Sequence, residues 1–130
     1  MKKALISLGV LVFATIIISC GKVQGETKIV SPEEMQTLLR LDNVQLVDVR
    51  TPEEFKEGYI NNAENIDFFS PTFSEDIKKL DKNKPILVYC RSGRRSAKCT
   101  KILLEAGFVE VYNLQGGILK WKQEGFKIKL

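Results

Sequence analysis

Four short stretches, at residues 45–49, 63–66, 86–89 and 109–112, alternate along this chain with segments that carry helix-start signals. Stretches this short fall below helix length, and Val, Ile, Leu and Tyr dominate all but 63–66, so they read as strands. The run at 86–89 has no polar residue on either side of its pleat, which implies burial on both faces. Short buried strands separated by helices define an α/β domain with a mainly parallel sheet and helices on both faces. In such sheets ligands collect beyond the carboxyl ends of the strands.

The helix signals are explicit. Ser31-Pro32-Glu33-Glu34 places a capping serine, an N1 proline and a reciprocating glutamate ahead of a helix over 32–40, with Met35, Leu38 and Leu39 facing inward. Thr51-Pro52-Glu53-Glu54 repeats the pattern for a short helix ending near Gly58. A further helix is expected over 74–80, before the turn Asp81-Lys82-Asn83-Lys84-Pro85. Another is expected over 96–106, with Ser96 as N-cap and Gly107 at C′. The last is expected over 117–124, carrying Trp121, which with Phe126 packs against the final strand.

The strand at 86–89 runs directly into Cys90-Arg91-Ser92-Gly93-Arg94-Arg95-Ser96. A cysteine between a strand end and a helix N-terminus meets unpaired backbone N–H groups, which favour a thiolate and attract anions. Gly93 lets the chain curl so that successive amides point inward as an anion-binding nest, while Arg91, Arg94 and Arg95 would rim the mouth. A buried packing cysteine is the competing reading of Cys90. Glycine and three arginines within five residues favour a reactive one. The chain has no histidine, which excludes Cys–His and Ser–His–Asp machinery and removes the commonest metal ligand. Three cysteines without a CxxC pair argue against structural zinc or a disulfide framework. Cys99 shares an apolar helix face with Leu103 and Ala106, so it reads as core, with a resolving thiol for Cys90 as the alternative. Asp48 and Arg50 end a strand beside the loop and are expected to brace the site.

Three stretches together resemble the rhodanese family of sulfurtransferases. Asp48-Val49-Arg50-Thr51-Pro52-Glu53-Glu54-Phe55, followed by Gly58-Tyr59-Ile60, Ala63 and Asn65-Ile66, is similar to the first family signature. Cys90 to Ser96 is similar to the active-site loop, and Tyr112-Asn113-Leu114-Gln115-Gly116-Gly117-Ile118 with Trp121 to the last signature. The resemblance spans residues 29–125 and implies a rhodanese-like, five-stranded, mainly parallel sheet. Tyr59 stands where the first signature usually has histidine. By this resemblance, Cys90 takes the outer sulfur of a donor such as thiosulfate, becomes a persulfide, and passes the sulfur to a thiol or cyanide. Amides of residues 91–96 would stabilise the charge on sulfur, Arg91, Arg94 and Arg95 would hold the donor, and no cofactor is required. Cysteine phosphatases and arsenate reductases place arginine six positions after the cysteine. Here that position is Ser96, and Arg95 lies five after. A catalytically idle binding module is the third reading.

The amino terminus has a separate logic. Met1-Lys2-Lys3 precedes an almost wholly apolar run over 4–18, and Ser19-Cys20-Gly21 ends it, in the layout of a secretory signal peptide. Ile17-Ile18-Ser19-Cys20 resembles the lipobox of bacterial lipoproteins, with Ile17 in place of the usual leucine and Ile18 in place of a smaller residue. An ordinary signal peptide or an uncleaved anchor is the alternative. The chain therefore divides into a signal peptide at 1–19, a lipid anchor on Cys20 with a tether to residue 27, and a domain over 28–130. Export to a bacterial membrane, facing the periplasm or exterior, follows from that reading. Without 1–19 the chain holds 18 basic against 16 acidic side chains, too balanced to indicate nucleic acid as a partner. The expected partners are a small sulfur donor, a thiol acceptor and, through Cys20, the membrane.

Overall fold

The computed structural model describes residues 25–130, so the signal peptide, Cys20 and most of the tether lie outside the described residues. The domain alternates strand and helix: β1 Glu26–Val30, α1 Pro32–Leu39, β2 Gln45–Asp48, α2 Pro52–Lys56 and β3 Glu64–Asn65, then α3 Phe73–Asp76 with a 3-10 turn at Ile77–Lys79. β4 Ile86–Tyr89, α4 Arg94–Glu105, β5 Glu110–Leu114 and α5 Gly117–Gln123 complete it. The strands form one sheet in the order β1-β5-β4-β2-β3, and every adjacent pair is parallel. β4 is therefore central, flanked by β5 and β2, and its carboxyl end leads to Cys90.

Period-two alternation sorts β4 between two cores. Ile86 and Val88 join Val47, Phe73, Ile77, Leu103 and Phe108 beneath α3 and α4. Leu87 and Tyr89 join Met35, Leu46, Leu114, Ile118 and Trp121 beneath α1 and α5. Both capping boxes form as expected. Ser31 Oγ accepts from the Glu34 amide at 3.1 Å while Glu34 accepts from the Ser31 amide at 2.8 Å, and Thr51 and Glu54 repeat the exchange. Trp121 is buried, stacks near Phe126, and donates its Nε1–H to the Lys127 carbonyl at 2.9 Å.

The helix expected over 74–80 is instead α3 with its 3-10 turn, the strand expected over 109–112 runs over Glu110–Leu114, and two further differences matter more. β1 begins at Glu26, inside the expected tether, and pairs in register with β5 from Glu26–Glu110 to Val30–Leu114. As an edge strand it buries only Val30, so no apolar alternation marks it. α4 starts at Arg94 rather than Ser96, with left-handed Gly93 (φ 103°) as its N-cap. Ser96 is thus inside the first turn and free for another task. At the other end Gly107 (φ 97°) closes α4 as expected, and the Phe108 amide reaches back to the Leu103 carbonyl at 3.0 Å.

Candidate active site

Cys90 follows the last residue of β4 and is 1 % exposed, at the base of a loop formed by residues 91–93. Its Sγ accepts the Gly93 N–H at 3.1 Å and lies 3.3 Å from Ser96 Oγ. The Ser96 hydroxyl also donates to the Gly93 carbonyl at 3.2 Å. A hydroxyl has one proton to give. Beside a neutral thiol it serves Gly93, and beside a thiolate it turns to sulfur. Burial pushes the Cys90 thiol up, but hydrogen bonds from the Ser96 hydroxyl and the amides of Ser96, Gly93 and Ser92 outweigh it and hold the thiol below its ordinary range. The backbone N–H groups expected to favour the thiolate do so, joined by the Ser96 hydroxyl.

The three arginines separate in role. Arg91 and Arg94 are exposed. Arg95 is held in a two-pronged pair with Glu54, at 2.7 and 2.8 Å, with its guanidinium 5.5 Å from the Phe69 ring centroid. Arg95 drives the Glu54 carboxyl down to about 2, against the opposing effect of burial. Because Glu54 also caps α2 through Thr51, this pair ties the first turn of α4 to the first turn of α2. In this structure Arg95 is a brace, and Arg91 and Arg94 are the loop's unpaired cations among the described residues.

Asp48 and Arg50 lie beneath the next strand end. Arg50 donates its backbone N–H, Nε and Nη2 to the Asp48 carboxylate at 2.7–3.0 Å, and Nη2 also reaches the Gly58 carbonyl at 2.7 Å. Asn65 Nδ2 bonds the carbonyls of both residues, at 3.0 and 2.9 Å. The Arg50 guanidinium lies 5.8 Å from the ring centroid of Tyr89, which immediately precedes Cys90. Tyr59 stacks on Phe55 with ring centroids 4.1 Å apart, and its backbone pairs with Lys129. Cys99 is a free, buried thiol in the core that also holds Cys90. Burial, and then the charge of Cys90, push it up to about 12, which suits packing and leaves it inert at neutral pH.

The sequence reading missed what holds the loop from above. The amides of Ile118 and Leu119, in the first turn of α5, donate to the carbonyls of Cys90 at 2.9 Å and Arg91 at 3.2 Å. With these carbonyls drawn to α5, the loop's amides are left for sulfur. Gly117 permits the approach: a Cβ there would lie 2.4 Å from the Arg91 carbonyl oxygen and 2.6 Å from that of Cys90. The Gly116-Gly117 pair ahead of a helix was the available signal. Glu54 could have been noticed as a capping residue near an arginine-rich loop, but its partner is 41 positions away.

Removing the Ser96 hydroxyl isolates its share of the activation. A lowered thiol is ionised at lower pH, so losing a hydrogen bond to the thiolate moves ionisation to higher pH. Ser96→Ala should react with iodoacetamide about tenfold more slowly near pH 6, as expected for a hydrogen bond to a charged group. The two rate profiles should converge at high pH, once both thiols are ionised. Equal rates near pH 6 would show that the amides suffice.

A parallel α/β sheet with a thiol in an amide-lined anion loop at its central strand end defines a class of sulfur- and phosphate-handling proteins. Residues 31–124 match the model of the rhodanese-like domain, and the chain belongs to that family. It is 37 % identical over 95 residues to the thiosulfate sulfurtransferase GlpE of Coxiella burnetii, covering 73 % of this chain and 87 % of that one. It is 40 % identical over 97 residues to the tRNA uridine(34) hydroxylase of Cytophaga hutchinsonii, covering 72 % of this chain. The chain spans 31 % of that hydroxylase's length. A rhodanese-like domain protein from Staphylococcus aureus superposes with a TM-score of 0.65 at 38 % identity, covering 79 % of this chain and 99 % of that one.

Proposed function

We propose that this protein transfers sulfane sulfur through a Cys90 persulfide, taking it from thiosulfate or a related anionic donor and giving it to a thiol or cyanide. The observation that carries this reading is the lowered Cys90 thiol, facing the Gly93 amide and the Ser96 hydroxyl. The match along most of the length of a thiosulfate sulfurtransferase supports the choice of donor.

The Cys90 thiolate attacks the outer sulfur of thiosulfate, the sulfur–sulfur bond of the donor breaks, and sulfite leaves with the bonding pair. Arg91 and Arg94 hold the departing oxyanion, and the loop amides take the negative charge that moves to the outer sulfur. In the second half-reaction an acceptor thiolate attacks that outer sulfur and Cys90 leaves as thiolate. Passage through a covalent enzyme form makes the kinetics ping-pong. The chain is further proposed to act outside the cytoplasm, anchored by lipid on Cys20, on the strength of its leader pattern.

Intact mass of the full chain after thiosulfate treatment tests the transfer. One added sulfur is expected, and none on Cys90→Ser. No adduct combined with hydrolysis of an aryl phosphate would support the phosphatase reading. Neither activity in a folded protein would support a binding module. Labelled fatty acid retained on Cys20→Ala would remove the anchor.

A further inference from the structure

α4 carries its charge against its own dipole. A helix N-terminus favours acidic side chains and a C-terminus basic ones. α1, α2 and α3 each have two acidic residues in their first turn, and α5 has Lys120 and Lys122 in its last. α4 has no acidic residue in its first turn and no basic residue in its last. It opens on Arg94 and Arg95 and ends on Glu105. Reversals of a local rule that stability would favour are expected at functional or strained sites.

Glu54 neutralises Arg95, and the remaining cations form a stripe. Arg94, Lys98 and Lys101 fall at i, i+4 and i+7 on one exposed face, opposite the buried Ser96, Cys99, Thr100 and Leu103. Exposed Arg91 continues it at the loop, and Glu105 ends it. Among the described residues none of these four cations is in an ion pair. The helical part extends about 10 Å from Arg94 to Lys101. That is longer than a donor such as thiosulfate can use while its sulfur is at Cys90. Exposed Phe69, under Arg95, and exposed Leu119, whose amide holds Arg91, add apolar contact beside the loop.

We infer that the outer face of α4, with Arg91, is a docking surface for an acidic protein whose cysteine receives the sulfur from Cys90. This rests on the persulfide reading and adds the class of acceptor. A partner that reaches Lys101 while its reacting atom is at Cys90 is a macromolecule. The reacting atom must be a thiolate, which a polypeptide supplies and phosphate-bearing nucleic acid or lipid does not. The step balances: the acceptor thiolate forms a bond to the outer sulfur, the persulfide bond breaks, Cys90 leaves as thiolate, and the partner's cysteine becomes the persulfide.

The probes are a peptide with one cysteine in a run of glutamates and its counterpart with glutamines. Binding of cysteine-to-serine versions to full-length Cys90→Ser protein should favour the acidic peptide about tenfold at low salt, and the preference should vanish at high salt. Lys98→Glu with Lys101→Glu should erase it. These substitutions suit the exposed face of a helix, so the fold should hold. In wild-type persulfide, single-turnover transfer to the acidic cysteine peptide should fall about tenfold in this double variant, with transfer to cyanide within about twofold. Equal binding of the two peptides, or an undiminished transfer rate in the variant, overturns the docking surface. So does displacement of the acidic peptide by single-stranded RNA or phosphatidylglycerol vesicles at matched charge. Preferred binding of the acidic peptide without sulfur gain on Cys90 would remove the transferase reading and the acceptor role with it. Sulfur gain on Cys90 with no peptide preference would remove the docking surface alone.

Discussion

Gly117→Ala should cost this protein both stability and its reactive thiol. Gly117 has φ +61°, and an alanine there meets backbone, not a movable side chain, at 2.4 Å from the Arg91 oxygen and 2.6 Å from the Cys90 oxygen. Left-handed strain of about 1–2 kcal/mol adds to an overpacking cost of about 1–3 kcal/mol. For a domain of this size the melting temperature should fall by roughly 10 °C or more. Relief requires the loop to move away from α5, which breaks the bonds from Ile118 and Leu119 to Cys90 and Arg91. The amides then lose their aim at sulfur. Sulfur loading at neutral pH, measured well below the melting point, should drop more than about tenfold, on the scale of losing one oriented donor to a developing charge.

Gly116→Ala separates this from generic glycine strain. Its φ is +74°, but an added Cβ meets Lys120 Cβ, at 2.6 Å, within its own helix and not the carbonyls of the Cys90 loop. It should share the backbone strain and keep the loading rate. If Gly117→Ala melts within about a degree of wild type and loads sulfur normally, the bracing role of α5 is wrong.

These expectations show where the chain is legible and where it is not. Central β4 has four apolar residues in succession because both its faces are covered, so it is readable from composition alone. The two capping boxes are readable because every participant lies within four residues. β1 is not. Its partner β5 lies more than eighty positions away, and only Val30 of its five residues is buried, so neither periodicity nor turn chemistry announces it. The site divides the same way. Cys90, Gly93 and Ser96 stand within one local motif and are visible as a group, although Ser96 serves the thiol from inside the helix rather than capping it. The Glu54 clamp on Arg95 and the α5 amides on the loop carbonyls are set by parallel sheet order, which places α2 and α5 beside β4. No local pattern encodes that placement.

The second large effect belongs to the buried pair. Arg50→Met should destabilise the domain by about 3–5 kcal/mol, because it leaves the Asp48 carboxylate, 0 % exposed, without its guanidinium. Arg50 donates four of the short contacts to that carboxylate, one of them from its backbone, and the variant keeps only the backbone one. It also strips the Gly58 carbonyl of its donor at 2.7 Å. Burial opposes the Arg50 charge, but the hydrogen bonds and charge of Asp48 outweigh it, so removing the guanidinium leaves a buried carboxylate without its partner. Removing both charges tests this against loss of packing. Asp48→Leu with Arg50→Met should recover much of the lost stability, since two apolar side chains owe nothing to hydrogen bonding, and urea unfolding of the four proteins gives the coupling energy. The double variant should still load sulfur more slowly than wild type. The Val49 amide bonds the Tyr89 carbonyl at 3.0 Å, and Asn65 bonds the carbonyls of residues 48 and 50, so the strand end before Cys90 loses its fixed neighbour. A double variant no more stable than Arg50→Met would place the cost in packing, and full loading speed in it would confine the pair to the fold.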